Sequence, residues 1–575
     1  MNSSQLCRGV AAVVLALSAL PATAQSFRVQ CPTHTALHPL VNSQGAPNPS
    51  GDQPDPSNVY VNPNPHIKCQ QISGGDGFAT MGDGTQTYLF AFGPLSGLDQ
   101  MVNGREGTVP ASVFNQSNLD GAGNVLDVIK TGAPYVGDGF NGAVGLVPDT
   151  TLGPELTQTG DPNTGVTGGG LNQPLDGHVD PRLVMDVGVL NGNIPAPLIV
   201  IDEGDELFLT LTNVGMVMRP DLFEQHTVHF HGYPNASAFY DGVPDASVAI
   251  NIGGSFTYYY LAPEPGTYIW HCHISPPEHL QMGMVGQLYV RPRQNTVSGS
   301  LYTALSNANA PAAVVTKCAA SDILCSSQTP AANAVQAGDG FVSADSSRSA
   351  RRYAYNDGDG STRYDVEYPL QMHGFDPNFH FVGMTFNPES FADNKDKYFL
   401  INGRSYPDTV GGYVCAASDA LPACSGKASG TIVAGPMRTQ DSDGVDRASQ
   451  EIPAVINIPV GGRALLRFSD LNVTEYHTLA SLGIPMHVVG YNARLLRDED
   501  GNNMAYDTNS ITLGGGESLD VILDASDTAK YPVGRKFYLY TPQLDHLSND
   551  AENFGGMMTE VNICTSVNPV TKVCN

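Results

Sequence analysis

The amino-acid sequence predicts an all-β protein made of β-sandwiches. Its 575 residues include 62 glycines and 41 prolines, and many short runs of Val, Ile, Tyr and Phe lie between turn residues. Such short apolar runs are typical of sandwich strands rather than of helices. The length is sufficient for roughly two to four domains, so a sizeable core can be buried.

The first 24 residues are predicted to be a secretory signal peptide. Arg8 supplies the positive charge, residues 10–20 are apolar, and Ala22, Thr23 and Ala24 form a small-residue cleavage site. No later stretch approaches the roughly 18 apolar residues that a membrane span requires. We therefore expect an exported protein without a membrane span, located in the periplasm or outside the cell.

Residues 25–180 are predicted to form an N-terminal arm and a glycine-rich insertion. Residues 26–80 are rich in Pro, Asn and Gly, which indicates an irregular arm, and residues 95–180 contain many Gly-Asp and Gly-Asn turn signals. A first strand is predicted near residues 85–92. Loops of this length are uncommon in compact domains and are usually functional or mobile.

Residues 181–293 show the clearest strand pattern and are predicted to be one sandwich domain. Gly and Pro separate the apolar runs at the spacing expected of a sandwich. The predicted strands are residues 183–189, 198–202, 206–211, 227–231, 255–261, 266–272 and 286–290.

Two short motifs in this domain place four histidines on one face. The first, HTVHFHG, begins at residue 226, and the second, HCH, begins at residue 271. On a strand, residues i and i+2 share a face, so His229 and His231 point one way, as do His271 and His273. Two adjacent strands would thus present four imidazoles together.

The opposite face of the same strands carries a second set of metal ligands. Cys272 points away from its two flanking histidines, and His226, His279 and Met284 can join it there. Two His, one Cys and a weak axial Met make a blue-copper site. The sequence therefore predicts a Cys-His-His-Met copper site on one face and four imidazoles on the other.

These motifs carry a family resemblance. The pattern H-x-x-H-x-H-G followed by H-C-H-x5-H-x4-M resembles the copper motifs of multicopper oxidases, which include laccases, ascorbate oxidases and metal oxidases. The resemblance covers residues 180–565 and is most specific in the motifs. It implies two cupredoxin-type Greek-key sandwiches, a type 1 copper that accepts electrons, and a copper cluster that reduces dioxygen to water.

Position by position, the resemblance implies a role for each motif residue. The catalytic electron path would run from Cys272 to its neighbours His271 and His273. Met284, rather than the nearby Met282, has the axial spacing of the family. The implied copper ligands are His226, Cys272, His279 and Met284 for type 1 copper, His229 for type 2 copper, and His231, His271 and His273 for the type 3 pair.

The cysteine count supports export. Without Cys7 of the signal peptide and Cys272 of the copper motif, eight of the ten cysteines remain. No C-x-x-C motif indicates zinc or thiol redox chemistry, and local pairs are consistent with disulfides in an oxidising compartment. The pairing expected from proximity is Cys31–Cys69, Cys318–Cys325, Cys415–Cys424 and Cys564–Cys574.

The chain continues through a predicted linker, residues 294–365, into a second cupredoxin-like domain, residues 366–575. The linker is rich in Ala and Ser, and its Asn-Asp-Gly-Asp-Gly stretch at residues 356–360 is predicted to be a hairpin turn rather than a calcium loop. The strands predicted in the second domain are residues 397–404, 464–468, 486–489, 518–523 and 537–540, and residues 555–558 resemble the closing strand.

The second domain lacks the two H-x-H pairs that would complete a trinuclear cluster. Single histidines stand there instead: His373, His380 and His477 are interpreted as structural, while His487 and His546 stay open as ligands. The N-terminal histidines His34, His38, His66 and His178 lie in polar loops and are given no site role.

Three functions therefore remain open. The first is an oxidase that passes electrons from a small molecule or metal ion to dioxygen. The second is an enzyme resembling copper nitrite reductases, which usually have Asp where His229 stands and no His at the position of His273. The third is a non-catalytic blue-copper protein that transfers electrons or stores copper. The two histidine positions favour the oxidase.

Charge and missing ligands indicate the partners. The net charge of −28 makes nucleic acid an improbable partner, because phosphate binding needs clustered Lys and Arg. The acidity keeps an exported protein soluble and would also attract metal ions. Because one chain lacks half of the cluster ligands, we expect a homo-oligomer, most simply a trimer, in which His487 or His546 of a neighbour approaches the cluster.

Overall fold

The structure is a computed structural model in which the two predicted sandwiches are formed. It describes residues 29–42, 63–97, 101, 106–114, 181–233, 237–295, 352–357, 360–384, 391–415, 424–435, 437–440, 446–568 and 571–575. The predicted signal peptide, the Cys318–Cys325 pair and most of the insertion and linker lie outside these residues. Disulfides join Cys31 to Cys69, Cys415 to Cys424 and Cys564 to Cys574, as predicted.

The first sandwich packs a five-stranded sheet on a four-stranded sheet. Its core includes alternate residues of adjacent strands, such as Leu207, Leu209 and Leu211, together with Tyr258 and Tyr260. The larger sheet has the order β2 (Gln86–Pro94), β1 (Ile67–Thr80), β5 (Glu206–Gly215), β7 (Ser255–Leu261), with β3 (Val109–Pro110) on β1. The smaller has the order β4 (Ile199–Asp202), β9 (Val285–Arg291), β8 (Gly266–His271), β6 (His229–His231).

The second sandwich packs a seven-stranded sheet on a five-stranded sheet. The larger has the order β11 (Tyr398–Ile401), β10 (Val366–Phe375), β17 (Arg463–Asp470), β23 (Glu517–Asp524), β19 (Met486–Tyr491), β20 (Arg494–Leu495), with β21 (Tyr506–Thr508) on β19. The smaller has the order β16 (Ile456–Pro459), β25 (Met558–Cys564), β24 (Lys536–Tyr540), β18 (His477–Leu482), β22 (Ser510–Leu513). Two hairpins join β12 (Gly412–Val414) to β13 (Ile432–Ala434) and β14 (Met437–Gln440) to β15 (Asp446–Ser449).

The two sandwiches repeat one pairing pattern. In the first, β1 runs parallel to β5 and β4 parallel to β9; in the second, β10 runs parallel to β17 and β16 parallel to β25. In the same way, β6 pairs with β8 as β18 pairs with β24. Both domains therefore have the cupredoxin-type arrangement that the resemblance implies, and the all-β fold class is confirmed.

Helices are short and few in the described ranges, and none is long and apolar enough to span a membrane. The four α-helices are α1 (Ala111–Phe114), α2 (Pro181–Gly188), α3 (Pro276–Gln281) and α4 (Pro377–Met384). Single 3-10 turns occur at Ala238–Tyr240, Arg293–Asn295, Phe391–Asp393 and Leu544–His546.

Buried polar contacts join the two sandwiches along β8. The Thr267 hydroxyl donates to Asp520 Oδ1 over 2.6 Å, and the Ser518 hydroxyl donates to the Thr267 carbonyl over 2.7 Å. Gln287 of β9 donates to the Arg467 carbonyl over 2.8 Å. Since β8 leads into Cys272, the second sandwich supports the strand that carries the copper motif.

The structure corrects two expectations about local structure and adds detail at the end of the linker. Residues 67–80, predicted to be part of an irregular arm, form the 14-residue strand β1. The predicted strand 183–189 is instead covered by helix α2, which begins at Pro181 and buries Val184 and Val187 at helical spacing. The end of the predicted linker is also ordered, because Tyr353 and Tyr355 are buried and the Tyr353–Arg363 bridge closes the predicted hairpin turn.

The glycines of β1 explain why that strand was missed. Gly74, Gly75 and Gly77 look like turn residues in the sequence. In the sandwich they permit close packing instead: a Cβ at Gly77 would lie only 2.0 Å from the Gly192 carbonyl oxygen.

Candidate metal centre

The two copper motifs lie on adjacent antiparallel strands. His229 of β6 is opposite His271 of β8, and Phe230 is opposite Trp270. Both apolar residues of the second pair are buried in the core of the first sandwich. The alternation predicted from the sequence thus separates two sites on opposite faces of the same strand pair.

The first of these sites, called here the thiolate site, comprises His226, Cys272, His279 and Met284. All four residues have 0% exposure. The Cys272 sulfur lies 3.2 Å from His279 Nδ1 and 4.0 Å from His226 Nδ1. Met284 follows helix α3, and its backbone N–H donates to the His279 carbonyl over 2.9 Å while its carbonyl accepts from Cys272 N–H over 3.2 Å. The predicted type 1 ligands are therefore brought together.

The surroundings of the thiolate site fix its ligands in place. The Thr227 backbone N–H donates to the Cys272 sulfur over 3.4 Å, and Phe90 packs edge-on against the His279 ring at 5.1 Å between centroids. Gly74 of β1 closes the site from behind, because a Cβ there would lie 2.8 Å from His226 Cδ2 and 3.4 Å from Met284 Cε. Such apolar enclosure controls solvent access and redox potential in copper sites.

Electrostatics favour a thiolate at Cys272. Burial raises the pKa of the Cys272 thiol, but His279 and His226 outweigh burial and hold this pKa well below its usual value. Burial lowers the pKa of His279, yet the thiolate and Glu224 raise it to about 9. A soft metal cation between the three groups would balance the buried thiolate charge, and thiolate with imidazole is the donor set that copper prefers.

The second site, called here the imidazole cluster, comprises His229, His231, His271 and His273. The Nε2 atoms of His231 and His271 face each other at 2.9 Å. The rings of His229 and His273 lie 5.0 Å apart, and His229 lies 5.4 Å from His271, all between centroids. The ligand atoms of His229, His231 and His271 lie within 4.8 Å of one another, which is compatible with a shared metal ion.

Backbone carbonyls orient three of these rings. His229 Nδ1 donates to the Asp241 carbonyl over 2.7 Å, and His271 Nδ1 donates to the Cys272 carbonyl over 2.6 Å. His231 hydrogen-bonds to the backbone of Gly516 in the second sandwich. The bonds of His229 and His271 occupy Nδ1, so Nε2 is the nitrogen of each ring that can bind a metal ion. Second partners orient histidine ligands in this way.

Burial favours the neutral form of two cluster rings, His231 and His271. It lowers the pKa of His231, and it lowers the pKa of His271 well below the usual value, with the other imidazoles contributing in the same direction. A neutral imidazole has a free lone pair on Nε2 and can bind a metal ion without first losing a proton. The cluster therefore fits copper, as the thiolate site does.

The second sandwich covers part of the imidazole cluster. A Cβ at Gly516, which has a positive φ of 97°, would lie 2.9 Å from His231 Nδ1. Sequence reasoning missed Gly516, Asp241, Glu224 and Gly74, because backbone contacts and glycines far along the chain carry no ligand signal. The approach of Gly516 to His231 shows that residues of the same chain cover part of the imidazole cluster.

The remaining histidines of the second sandwich divide into two groups. His373 and His380 are buried, and both nitrogens of His380 contact carbonyls, of Tyr88 at 2.5 Å and of Gln281 at 3.0 Å, in keeping with a structural role. His487 is partly exposed on β19 and bonds to Asp507.

His546 does not fit its predicted role in a neighbouring subunit. It is 1% exposed and bonds to Glu475 within its own chain, so its side chain is not available to a second chain. The predicted trimer and the approach of His487 to a neighbour remain predictions.

Two N-terminal histidines have partners although the sequence indicated no role for them. His38 Nδ1 lies 2.7 Å from Glu206, and His66 Nδ1 lies 2.8 Å from Asp205. These contacts anchor the arm to the first sandwich.

Comparison with known proteins places the copper motifs in a family. Residues 177–295 match the family model described as multicopper oxidase. The chain is 32% identical over 126 residues to multicopper oxidase MCE of Talaromyces pinophilus, covering 22% of this chain and 19% of that one. It is 35% identical over 108 residues to laccase abr2 of Aspergillus fumigatus, covering 18% and 17%. The match thus spans about a fifth of the length of these curated relatives.

Solved structures with a similar arrangement include two copper enzymes. The blue copper oxidase from Nitrosomonas europaea has a TM-score of 0.39 at 19% identity, covering 65% of this chain and 78% of that one. The copper nitrite reductase from Nitrosomonas europaea has a TM-score of 0.36 at 16% identity, covering 66% and 86%.

The sequence match coincides with the domain that carries both ligand sets. It contains HTVHFHG and the HCH motif with His279 and Met284, the same residues that the fold brings together. The similarity to multicopper oxidases therefore lies in residues 177–295, the part of the first sandwich that carries the copper motifs.

Proposed function

We propose that the protein is an exported copper-dependent oxidoreductase of the multicopper oxidase type. It takes electrons from a small molecule or a metal ion at the thiolate site and passes them to copper at the imidazole cluster, where dioxygen is reduced. Export rests on the predicted signal peptide at residues 1–24 and is supported by the three disulfides. Copper bound at the two sites supplies one-electron redox chemistry.

The observation that carries this proposal is the position of Cys272 between the two sites. The Cys272 sulfur lies among the ligands of the thiolate site. Its two sequence neighbours, His271 and His273, both belong to the imidazole cluster. The bond from His271 Nδ1 to the Cys272 carbonyl, 2.6 Å long, adds a second connection along the same path. An electron can therefore leave the sulfur along one short covalent route.

The residues around the two sites have different tasks. Trp270, Phe90 and Val228 are buried and exclude water from the thiolate site. The Thr227 N–H holds the sulfur at a fixed position. On the other face, His229 and His231 are only half-buried, so a small molecule such as dioxygen can reach the imidazole cluster.

Replacing Cys272 with Ser tests the proposal directly. We expect Cys272→Ser to lose the thiolate-to-copper charge-transfer band and to lose oxygen uptake with every electron donor, because the electron path begins at the sulfur. The donors to compare are phenols and ferrous, manganous and cuprous ions. Wild-type protein that binds copper without a charge-transfer band, or that consumes no oxygen with any donor, would contradict the proposal.

A second candidate function is supported by the three convergent histidines. His229, His231 and His271 form a group of the size that holds one metal ion, and the described part of the second sandwich meets the cluster through the Gly516 backbone. A single copper there would resemble the arrangement of copper nitrite reductases. Copper analysis separates the candidates: about four ions per chain indicate the full oxidase and two indicate the reductase, for which nitrite replaces dioxygen as acceptor. One ion per chain indicates an electron carrier.

A further inference from the structure

The second sandwich contains a residue-by-residue counterpart of the thiolate site. In the first sandwich, Cys272 N–H donates to the Met284 carbonyl over 3.2 Å, and Met284 N–H donates to the His279 carbonyl over 2.9 Å. In the second, Thr541 N–H donates to the Met557 carbonyl over 3.0 Å, and Met557 N–H donates to the His546 carbonyl over 3.0 Å. The list of counterparts is Thr541 for Cys272, His546 for His279 and Met557 for Met284.

Strand register supplies the fourth counterpart. His229 of β6 pairs with His271, the residue before Cys272. In the same way, Ala480 of β18 pairs with Tyr540, the residue before Thr541. Counting back three residues from His229 gives His226, and counting back three from Ala480 gives His477. His477 therefore occupies the position of the first copper-ligand histidine.

The side chains around the two histidines match as well. The rings of His477 and His546 lie 5.8 Å apart, compared with 5.4 Å for His226 and His279. Phe399 of β11 contacts His546 and Phe90 of β2 contacts His279, although Phe399 stacks face-to-face at 3.8 Å and Phe90 packs edge-on at 5.1 Å between ring centroids.

A glutamate holds the outer nitrogen of the later histidine in both sandwiches. Glu475 lies 3.1 Å from His546 Nε2, and Glu224 lies 3.8 Å from His279 Nε2. Each glutamate stands two residues before the first histidine of its own sandwich. The inner nitrogens, Nδ1, are thus the ones left to face the centre of each site.

The centre of the second site contains buried polar atoms that have no hydrogen bond within the described part of the chain. They are Nδ1 of His477, Nδ1 of His546 and Oδ2 of Asp470. All three residues are at most 1% exposed, and His477 Nδ1 lies 3.3 Å from Asp470 Oδ1. His477 Nδ1 thus has Asp470 as an ion-pair partner, while His546 Nδ1 and Asp470 Oδ2 have none. Leaving buried polar atoms without partners is costly, and a cation bound beside them would supply one.

We propose that the second sandwich binds a divalent metal ion of the zinc class at His477. Its ligand atom lies within 4.8 Å of those of Asp396 and Glu475, and His546 and Asp470 stand beside it as further donors. Two imidazoles and a carboxylate are donors that zinc and other borderline first-row ions accept, and Thr541 replaces the thiolate that would favour a blue copper. The site is therefore a structural or binding site without the charge-transfer colour of the first. Asp396 and Glu475 lie within reach of His477 and add negative charge, and Glu475, whose side chain is 36% exposed, lies on the path to solvent.

The test counts total copper plus zinc per chain in full-length protein that is loaded with copper, equilibrated with zinc and freed of excess metal. We expect wild-type protein to hold one metal ion more than either Asp470→Asn or His477→Gln, whichever of the two metals fills the site. The control is His34→Gln, which removes an exposed histidine to which no site role is given and should keep the wild-type count.

Two further readouts separate this site from the copper sites and from misfolding. The Cys272 charge-transfer band should stay unchanged in Asp470→Asn, because this band reports only on the thiolate site. If the proposed oxidase function is wrong, the wild-type band or oxygen uptake will be absent, whatever the metal count of the second sandwich. Zinc should raise the thermal unfolding temperature of wild-type protein but not that of Asp470→Asn, because a bound ion stabilises only a folded state that holds it. Equal metal counts in wild-type protein and both variants, or an equal thermal shift, would overturn the proposal.

Discussion

Two buried methionines, Met282 and Met284, follow the helix that carries His279, and one of them is expected to be the axial copper ligand. We expect Met284→Leu to raise the reduction potential of the thiolate site and to shift its charge-transfer band, because the axial ligand tunes both. Met282→Leu is the matched control, since it removes an equally buried sulfur and should leave both properties unchanged. Redox titration checks the result, and a larger shift in Met282→Leu would reverse the assignment.

Gly74 offers a test of the same site from a strand that carries no ligand. In Gly74→Ala the new Cβ would press against the His226 ring at 2.8 Å, so we expect weaker copper binding and a shifted band. Overpacking of this kind destabilises a fold by about 1–3 kcal/mol. Gly188→Ala is the control, because its Cβ would also come within 2.8 Å of a neighbour, Val214, but away from the ligands. A copper affinity equal in both variants would show that Gly74 has no specific role.

Secondary-structure elements show which parts of the site were predictable. Alternation along β6 and β8 is a local property, so two motifs were enough to assign His229, His231, His271 and His273 to one face and Cys272 to the other. The structure brings these residues together as predicted.

The second metal site was not predictable in the same way. His477 lies on β18 and His546 in the 3-10 turn Leu544–His546, 69 positions later in the sequence, so the sequence gives no reason to pair them. A repeated Glu-x-His spacing, Glu224 to His226 and Glu475 to His477, was the available signal. Its meaning depends on the pairing of β18 with β24, which only the fold reveals.

The equivalence of β24 and β8 predicts that the second site can be converted into a thiolate site. In a Cys272→Ser background, which lacks its own charge-transfer band, we expect Thr541→Cys to create a new one on addition of Cu²⁺. The reason is that Thr541 is fully buried and occupies the position of Cys272 between two histidines. Visible absorption measures the outcome, and adding His477→Gln should weaken the band. A colourless Thr541→Cys protein that binds copper would show that residue 541 points elsewhere.

At the scale of the whole molecule, the two sandwiches act as one support for the copper strands. β8 is bonded to the second sandwich through Thr267, and His231 contacts Gly516. A second connection runs through the loop before β16: the Gln450 N–H donates to Asn193 Oδ1 over 2.7 Å, and Asn193 Nδ2 donates to Glu451 Oε1 over 2.5 Å. Disturbing this junction should therefore change the stability of the whole chain.

Glu451 makes the stability of that junction depend on pH. Burial raises the pKa of Glu451 from 4.5 to about 7 in the folded protein. Between pH 4.5 and about pH 7 the folded state binds more protons than the unfolded state, so the free energy of unfolding falls as the pH rises. The stability contributed by protonated Glu451 is therefore lost above about pH 7. Glu451→Gln keeps an acceptor for Asn193 without the charge, and we expect it to lose less stability between pH 5 and pH 8 than wild-type protein. The difference is at most about 3 kcal/mol, from 1.36 kcal/mol per pKa unit.

Urea unfolding of copper-free protein at the two pH values measures this difference without the pH dependence of metal binding. Glu552→Gln is a suitable control, because that glutamate is exposed and far from Asn193 in sequence. If Glu451→Gln and wild-type protein lose equal stability over this range, Glu451 is ionised in the folded protein throughout. The junction between the sandwiches would then contain a buried carboxylate whose charge is stabilised fully by Asn193 and the nearby Arg404. The pH dependence of stability would then arise from other buried carboxyl groups, such as Asp76, because burial raises the pKa of Asp76 to about 6.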